Sequence, residues 1–240
     1  MTGWLRQIVE DAREHLGSAP ARDYLYTRGF SSVVPAREAG VGYLPASYFC
    51  TASADFLKWA GSGERDRLRG RLVFPYTTAD GQIIGLQTRS LTKSREGRYQ
   101  SYVLPAYKGI EPMMFNADHA ARQLYTKSCT QVVVVEGPMD VLAVRAAGET
   151  AVIATHTAMV PNTTVEWLRR WSSGIVLALL DMDEQGRAGV EKLLDAGLTV
   201  AAPAYAAHDP SDLWQAHPDA LRALVCPAQD DLALLIRGLL

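Results

Sequence analysis

Glu136, Asp181 and Asp183 are the residues whose types and spacing could do chemistry. Glu136 follows four consecutive valines, Val132–Val135, a run too short and too β-branched for a helix, so it reads as a buried strand. Gly137-Pro138 permits a sharp turn into a helix, and Asp140 falls in its first turn. About forty residues on, Gly174–Leu180 reads as a second buried strand, ending in Asp181-Met182-Asp183 and then Glu184-Gln185-Gly186. Residues i and i+2 of an extended segment point the same way, so Asp181 and Asp183 can face one point. A neighbouring strand tip can bring Glu136 to it. Converging carboxylates at a strand edge suit Mg²⁺, a hard cation held through oxygen. Each acid alone also reads as a helix N-cap or a solvated loop acid. The ordered pair strand-Glu-Gly, then strand-Asp-x-Asp-x-x-Gly, favours the metal.

The elements that must position these acids follow a repeating pattern. Apolar runs near 131–135, 151–154, 175–180 and 198–202 alternate with helical periodicity near 138–147, 161–171 and 186–196. Helical crossovers between short apolar strands predict a parallel sheet, an α/β fold, with ligand chemistry at the carboxyl ends of its strands. Before it, helical spacing marks 3–17, 21–28, 35–39 and 52–60. Alternation in 71–76 and 82–90 around Ala79-Asp80-Gly81 predicts a hairpin, whose polar face reads either as a solvated sheet face or as a binding surface. Arg69, Arg71, Arg89, Arg95 and Arg98 cluster on or beside it. That reads as a surface following the phosphates of a single strand, with Tyr99 or Tyr102 stacking on a base. His156, in the loop after the second parallel strand, reads as structural. Asp209-Pro210-Ser211-Asp212 forms a third acidic cluster, in which Asp209 is the ligand candidate and Asp212 a cap for a helix from Leu213.

Val135-Glu136-Gly137-Pro138-Met139-Asp140 with Asp181-Met182-Asp183 resembles the signature of the Toprim domain, shared by topoisomerases, bacterial primases and some nucleases. Upstream, Arg69–Tyr76, Asp80–Gly85 and Arg89 resemble the hairpin that precedes Toprim in DnaG-type primases. Tyr24–Phe30 with Val41-Gly42-Tyr43 is similar to their N-terminal segment, and Asp209–Leu213 to their last acidic motif. Ser211 stands where that motif usually has a second Asp, and Met113–Asn116 departs from the family's turn after Lys108-Gly109.

The resemblance implies a Toprim domain, Rossmann-like with a mostly parallel sheet and flanking helices, over 129–208. A basic, mixed α+β subdomain would precede it over 1–128, and the last acidic motif and a short helical tail would follow over 209–240. It implies primer synthesis on a single-stranded DNA template from NTPs by two-metal nucleotidyl transfer. Glu136, Asp181 and Asp183 would be catalytic, and Glu136, Asp140, Asp181, Asp183 and Asp209 would hold Mg²⁺ or Mn²⁺. Arg69, Arg71, Arg89, Arg98 and Lys108 would bind template or nucleotide. Glu136 would also suit a general acid or base.

The first 128 residues carry a net charge of +5 and the remainder −7, which fits nucleic acid on the first part and metals in the second, or ordinary surface scatter. The 3 cysteines, Cys50, Cys129 and Cys226, form no C-x-x-C pair and read as buried thiols. The zinc-binding module usual in the family is therefore expected from a separate protein, with a replicative helicase as a further partner and a phage or mobile element as the setting. The start lacks the order of a signal peptide and no apolar run is long enough to span a bilayer, which predicts a soluble, cytoplasmic protein without a membrane partner. Two rival functions remain open: a Toprim metal-dependent nuclease, and a non-catalytic module binding single-stranded DNA or a helicase. No G-x-x-x-x-G-K-[ST] loop is present to supply the ATPase common in such nucleases. A non-catalytic module has no use for acids that repel one another.

Overall fold

A computed structural model describes residues 3–61, 66–92, 97–126, 129, 131–156 and 160–226. They form two compact units. One comprises the residues up to Tyr76 with Gln82–Lys108; the other comprises Thr77–Gly81 and the residues from Gly109 onward.

The first unit is built on a four-stranded sheet of order β1-β2-β3-β4, where β1 is Gly42–Leu44, β2 Arg71–Thr77, β3 Ile83–Ser90 and β4 Tyr99–Val103. Antiparallel registers pair Gly42 with Val73 and Arg89 with Tyr99. Helix α1 (Gly3–His15) places Leu5, Ile8, Val9 and Ala12 on one face, the i, i+3, i+4, i+7 spacing of an amphipathic helix. These join Leu44, Phe56, Val73 and Leu86 in one core. Glycine is required at 42 because a Cβ there would lie 2.4 Å from the Ala12 backbone. Helices α2 (Ala19–Thr27), α3 (Val34–Glu38) and α4 (Ala54–Ala60) complete the unit.

The expected hairpin is present as β2 and β3, but neither of its faces is solvated. Every residue of β2 is buried, and so is β3 after Ile83. Consecutive residues point to opposite faces, so this unbroken burial means that both faces are covered and the alternating polar side chains are enclosed rather than solvated.

The second unit holds a parallel sheet of order β6-β5-β7-β8, comprising β5 (Gln131–Val135), β6 (Val152–Ala154), β7 (Ile175–Ala178) and β8 (Val200–Ala201). Helices α6 (Pro138–Ala147), α7 (Asn162–Trp171) and α8 (Glu184–Asp195) make the crossovers. Helix α5 (Ala117–Tyr125), which the sequence reading missed, packs against α7, β5 and β6. Helices α9 (Pro210–Ala216) and α10 (Pro218–Val225) pack on α6. The rest of the expected helical tail, 227–240, lies outside the described residues, as does the loop at 157–159. Burying four valines of β5 against both helical layers contributes about 1.5–3 kcal/mol per side chain before chain entropy is set against it.

The cysteines are not the buried thiols expected: Cys50 and Cys129 are half-buried and Cys226 is exposed. Among the described residues no helix is long and apolar enough to cross a membrane.

Candidate active site

Strand β5 ends at Val135 and β7 at Ala178, side by side in parallel register, so Glu136 and Asp181 emerge at the same edge of the sheet. The Asp181 N–H donates to Glu136 Oε1 at 3.2 Å. Burial, and then the Asp181 charge, raises the Glu136 carboxyl to about 7. Burial likewise raises Asp181 to about 6; His208 opposes this, while Asp209 and Asp183 add to it. His208 Nε2 lies 3.4 Å from Asp181 Oδ2.

Asp183 caps α8, its Oδ1 accepting from the Gly186 N–H at 2.9 Å. Asp209 caps α9 in the same way, accepting from the Asp212 N–H at 2.6 Å. The expected cap, Asp212, is instead an exposed residue inside the first turn of that helix, because the helix begins at Pro210 rather than Leu213. Asp140 is buried, and both its oxygens are engaged. Oδ2 accepts from the Gly137 N–H at 2.9 Å and Oδ1 from the Ser211 N–H at 3.0 Å. Burial, followed by the Asp209 charge, holds its carboxyl well above the usual range. Asp140 thus ties the turn after β5 to the start of α9.

Two participants escaped the sequence reading. His208 immediately precedes the third acidic motif, and its carbonyl accepts from the Met182 N–H at 2.9 Å, drawing that motif to Asp181. Tyr205 donates to the Leu180 carbonyl at 2.6 Å, and its hydroxyl titrates high through burial and then the charges of Asp140, Asp181, Asp209 and Glu136. The nearest sequence signal for both was proximity to Asp209. His156 is half-buried with its ring nitrogens enclosed, in a left-handed conformation, φ 59°, and that enclosure drives its imidazole down to about 3. Its backbone N–H donates to the Glu136 carbonyl at 2.9 Å.

The donor set fits a hard divalent cation. Glu136 and Asp181 are anionic oxygen ligands brought together in a half-buried place, and only positive charge relieves their mutual repulsion. Among the described residues, no three His, Cys, Asp or Glu side chains already close on one ligating point. Asp183 and Asp209 turn an oxygen to helix N-termini, and Asp140 turns both to the backbone.

The basic residues belong to the first unit. Arg89 is only 5% exposed, its Nε donating to the Tyr24 hydroxyl at 2.6 Å. Its guanidinium lies 4.8 Å from the Tyr99 ring centroid and 5.7 Å from that of Tyr24. Burial lowers its pKa, against the pull of Tyr24, and Arg98 and Arg28 lower it further. Arg98 is exposed. Arg71 is 2% exposed, so it is no part of an open surface. Its Nε donates to Thr88 Oγ1 at 2.9 Å and its NH2 group to the carbonyls of Arg98 at 2.9 Å and Gly97 at 3.3 Å. Arg69 is partly exposed and paired with Asp66 at 3.1 Å. Lys108 is exposed, after a single 3-10 turn at Pro105–Tyr107. Arg95 lies outside the described residues. Tyr102 packs edge-on to Phe56 at 4.9 Å within an aromatic cluster, leaving Tyr99, stacked on Arg89, nearer the arginines.

A Toprim-like family model matches residues 133–209. A DNA primase of Mycobacterium leprae is 31% identical over 93% of this chain, and the chain spans 39% of that protein's length. A DNA primase of Staphylococcus aureus is 29% identical over 75% of the chain, with 33% of its own length covered. The RNA polymerase domain of Mycobacterium tuberculosis primase DnaG, crystallised with a double-stranded DNA oligomer carrying a 6-nucleotide overhang, superposes with a TM-score of 0.70. It is 30% identical, over 96% of this chain and 80% of that one.

Proposed function

The chain belongs to the DnaG-type DNA primase family, and on that premise we propose that it makes short primers from NTPs on a single-stranded DNA template. The observation that carries this reading is the pairing of Glu136 with Asp181 at one sheet edge, where burial and like charge leave both carboxyls titrating far above their ordinary values. Such a pair, with Asp183 beside it and Asp209 nearby, would hold Mg²⁺ or Mn²⁺. Divalent ions bound there supply charge neutralisation for a triphosphate and acidify an attacking 3′-hydroxyl.

The chain's own residues do the positioning. Glu136 is held at its backbone by His156 and at its carboxylate by the Asp181 N–H. Asp140 is the strut that keeps the turns after β5 and before α9 together, so its contribution is geometric. Arg98 binds template or incoming nucleotide, with Lys108 and Arg69 adding positive charge, while Arg89, buried against Tyr24 and Tyr99, positions Tyr99 beside them. Arg71 serves them from behind, fixing the backbone of Gly97 and Arg98. A replicative helicase and a zinc-binding module remain the proposed partners, and the cytoplasm the proposed location.

The test combines purified protein, mixed single-stranded templates, labelled NTPs and dNTPs, and Mg²⁺ or Mn²⁺, with Asp181→Ala as control. Short products that vanish in the control, with DNA binding retained, are expected. Metal-dependent shortening of the DNA instead of synthesis overturns the reading in favour of a nuclease. Binding with neither activity, in the presence of a helicase and a zinc module, overturns it in favour of a non-catalytic module.

A further inference from the structure

A cavity of about 510 Å³ lies in the second unit, away from the acids just described. Its walls come from the turn at Thr78–Asp80, the segment Ile110–Pro112 and one face of α7. The turn is anchored within this unit, since Thr77 Oγ1 donates to Asp118 Oδ1 at 2.8 Å and accepts from the Asp118 N–H at 3.4 Å. The volume falls in the range of sites that enclose a small ligand or one or two side chains.

Three features define what would fit. The apolar wall is aromatic: Trp167 and Trp171 lie one helical turn apart, their ring centroids separated by 6.2 Å. Trp167 is 7% exposed, and its indole Nε1 has no hydrogen-bond acceptor among the described residues. That N–H is enclosed, so it is the indole ring rather than its nitrogen that the cavity offers to a ligand. The charge around the opening is negative. Among the described residues, Asp80, Glu111 and Glu166 line the cavity against one cation, Arg170, and neither Glu111 nor Glu166 has an ion-pair partner. Arg170 itself lies 5.7 Å from the Trp171 ring centroid, so a planar guanidinium already sits on this aromatic wall.

We propose that this cavity docks an arginine-bearing segment of a partner polypeptide. The guanidinium enters between the carboxylates and the indole rings. Arginine suits the site better than lysine because its plane stacks on indole while its edge donates to carboxylates. Nucleic acid is disfavoured because its phosphates would face three carboxylates.

The indole N–H resonances of the ¹⁵N-labelled chain provide the readout, with Trp167 assigned from Trp167→Phe and, independently, from its neighbours in sequence. The probe is acetyl-Leu-Arg-Leu-Arg-amide, with acetyl-Leu-Glu-Leu-Glu-amide and a single-stranded oligothymidylate as controls. A saturable shift of the Trp167 signal by the arginine peptide alone is expected, with the apparent Kd weakened roughly tenfold or more in Glu111→Lys/Glu166→Lys. Glu166 is exposed and Glu111 half-buried, and an unchanged circular-dichroism spectrum separates lost docking from lost folding. Three results overturn the proposal: no saturable response to the arginine peptide, an equal response to the acidic peptide, or a response to the oligonucleotide, which would make this a nucleic-acid face. None of these readouts depends on primer synthesis.

Discussion

Replacing Gly186 by alanine probes how the two aspartates of the Asp-x-Asp segment are held. Gly186 lies in the first turn of α8, and its N–H donates to Asp183 Oδ1 at 2.9 Å. An added Cβ would lie 2.0 Å from the Asp181 carbonyl oxygen and 3.0 Å from its carbonyl carbon. Carbon and carbonyl oxygen approach no closer than about 3.3 Å even in weak C–H···O contacts, so one of the two must retreat by about 1 Å. Both are backbone-linked, so no side-chain rotation relieves the overlap. A retreat of Asp181 strains its N–H contact to Glu136 Oε1, now 3.2 Å; a retreat of Gly186 strains the Asp183 cap. Overpacking of this kind costs about 1–3 kcal/mol, which lowers the melting midpoint by several degrees in a chain of this size. The effect on chemistry should be larger, because a 1 Å misplacement of catalytic groups costs about 10²-fold. Gly186→Ala is therefore expected to lose about 100-fold in primer synthesis at saturating Mg²⁺, with single-stranded DNA binding little changed. Synthesis at the wild-type rate from a variant that melts as wild type would refute the idea that this glycine sets the Asp181 backbone.

Two further outcomes follow from the same geometry. Glu136 titrates at about 7 and Asp181 at about 6 in the folded chain, against roughly 4 for exposed carboxyls, so the folded state binds protons more tightly than the unfolded one. Their contribution to cation-free stability is therefore fully present below the unfolded pKa and is lost as pH rises towards 7. Thermal melts should show Mg²⁺ stabilising the protein strongly at pH 8 and weakly at pH 5; equal stabilisation at both would contradict the assignment of these acids as ligands. Arg71→Met removes the donors to the Gly97 and Arg98 carbonyls, which costs about 0.5–1.5 kcal/mol per bond, since the Arg98 carbonyl keeps the Ser90 N–H at 2.8 Å and both residues are exposed. Steady-state kinetics should show KM for NTP rising more than kcat falls, and an unchanged KM would mean that Arg71 does not act through Arg98.

Much of the acidic edge was legible in the sequence because strand and helix periods carry direction. Val132–Val135 and Ile175–Leu180 are short β-branched or apolar runs that end at acids, and two such strands in parallel must present those acids at one edge. Gly186 was legible as a motif position, but its purpose, room for the Asp181 carbonyl, was not. Helix α5 and strand β4 went unread for different reasons. Ala117–Tyr125 mixes small and polar residues, which carry little apolar signal, and Tyr99–Val103 is a strand chiefly because it pairs with β3. The direction of the arginines also lay beyond the sequence. Alternation marks two faces of a strand but not how many of them are covered, so Arg71 and Arg89 read like exposed residues although both are buried. The sequence by itself determined the order of strands, turns and acids, because local periodicity and turn chemistry act between neighbours in the chain. Only the tertiary structure decided that Asp140 would reach Ser211, His208 would reach Asp181, and Arg71 would hold Arg98 from within. Those contacts join residues 71, 27 and 27 positions apart, and they depend on which strands lie beside one another.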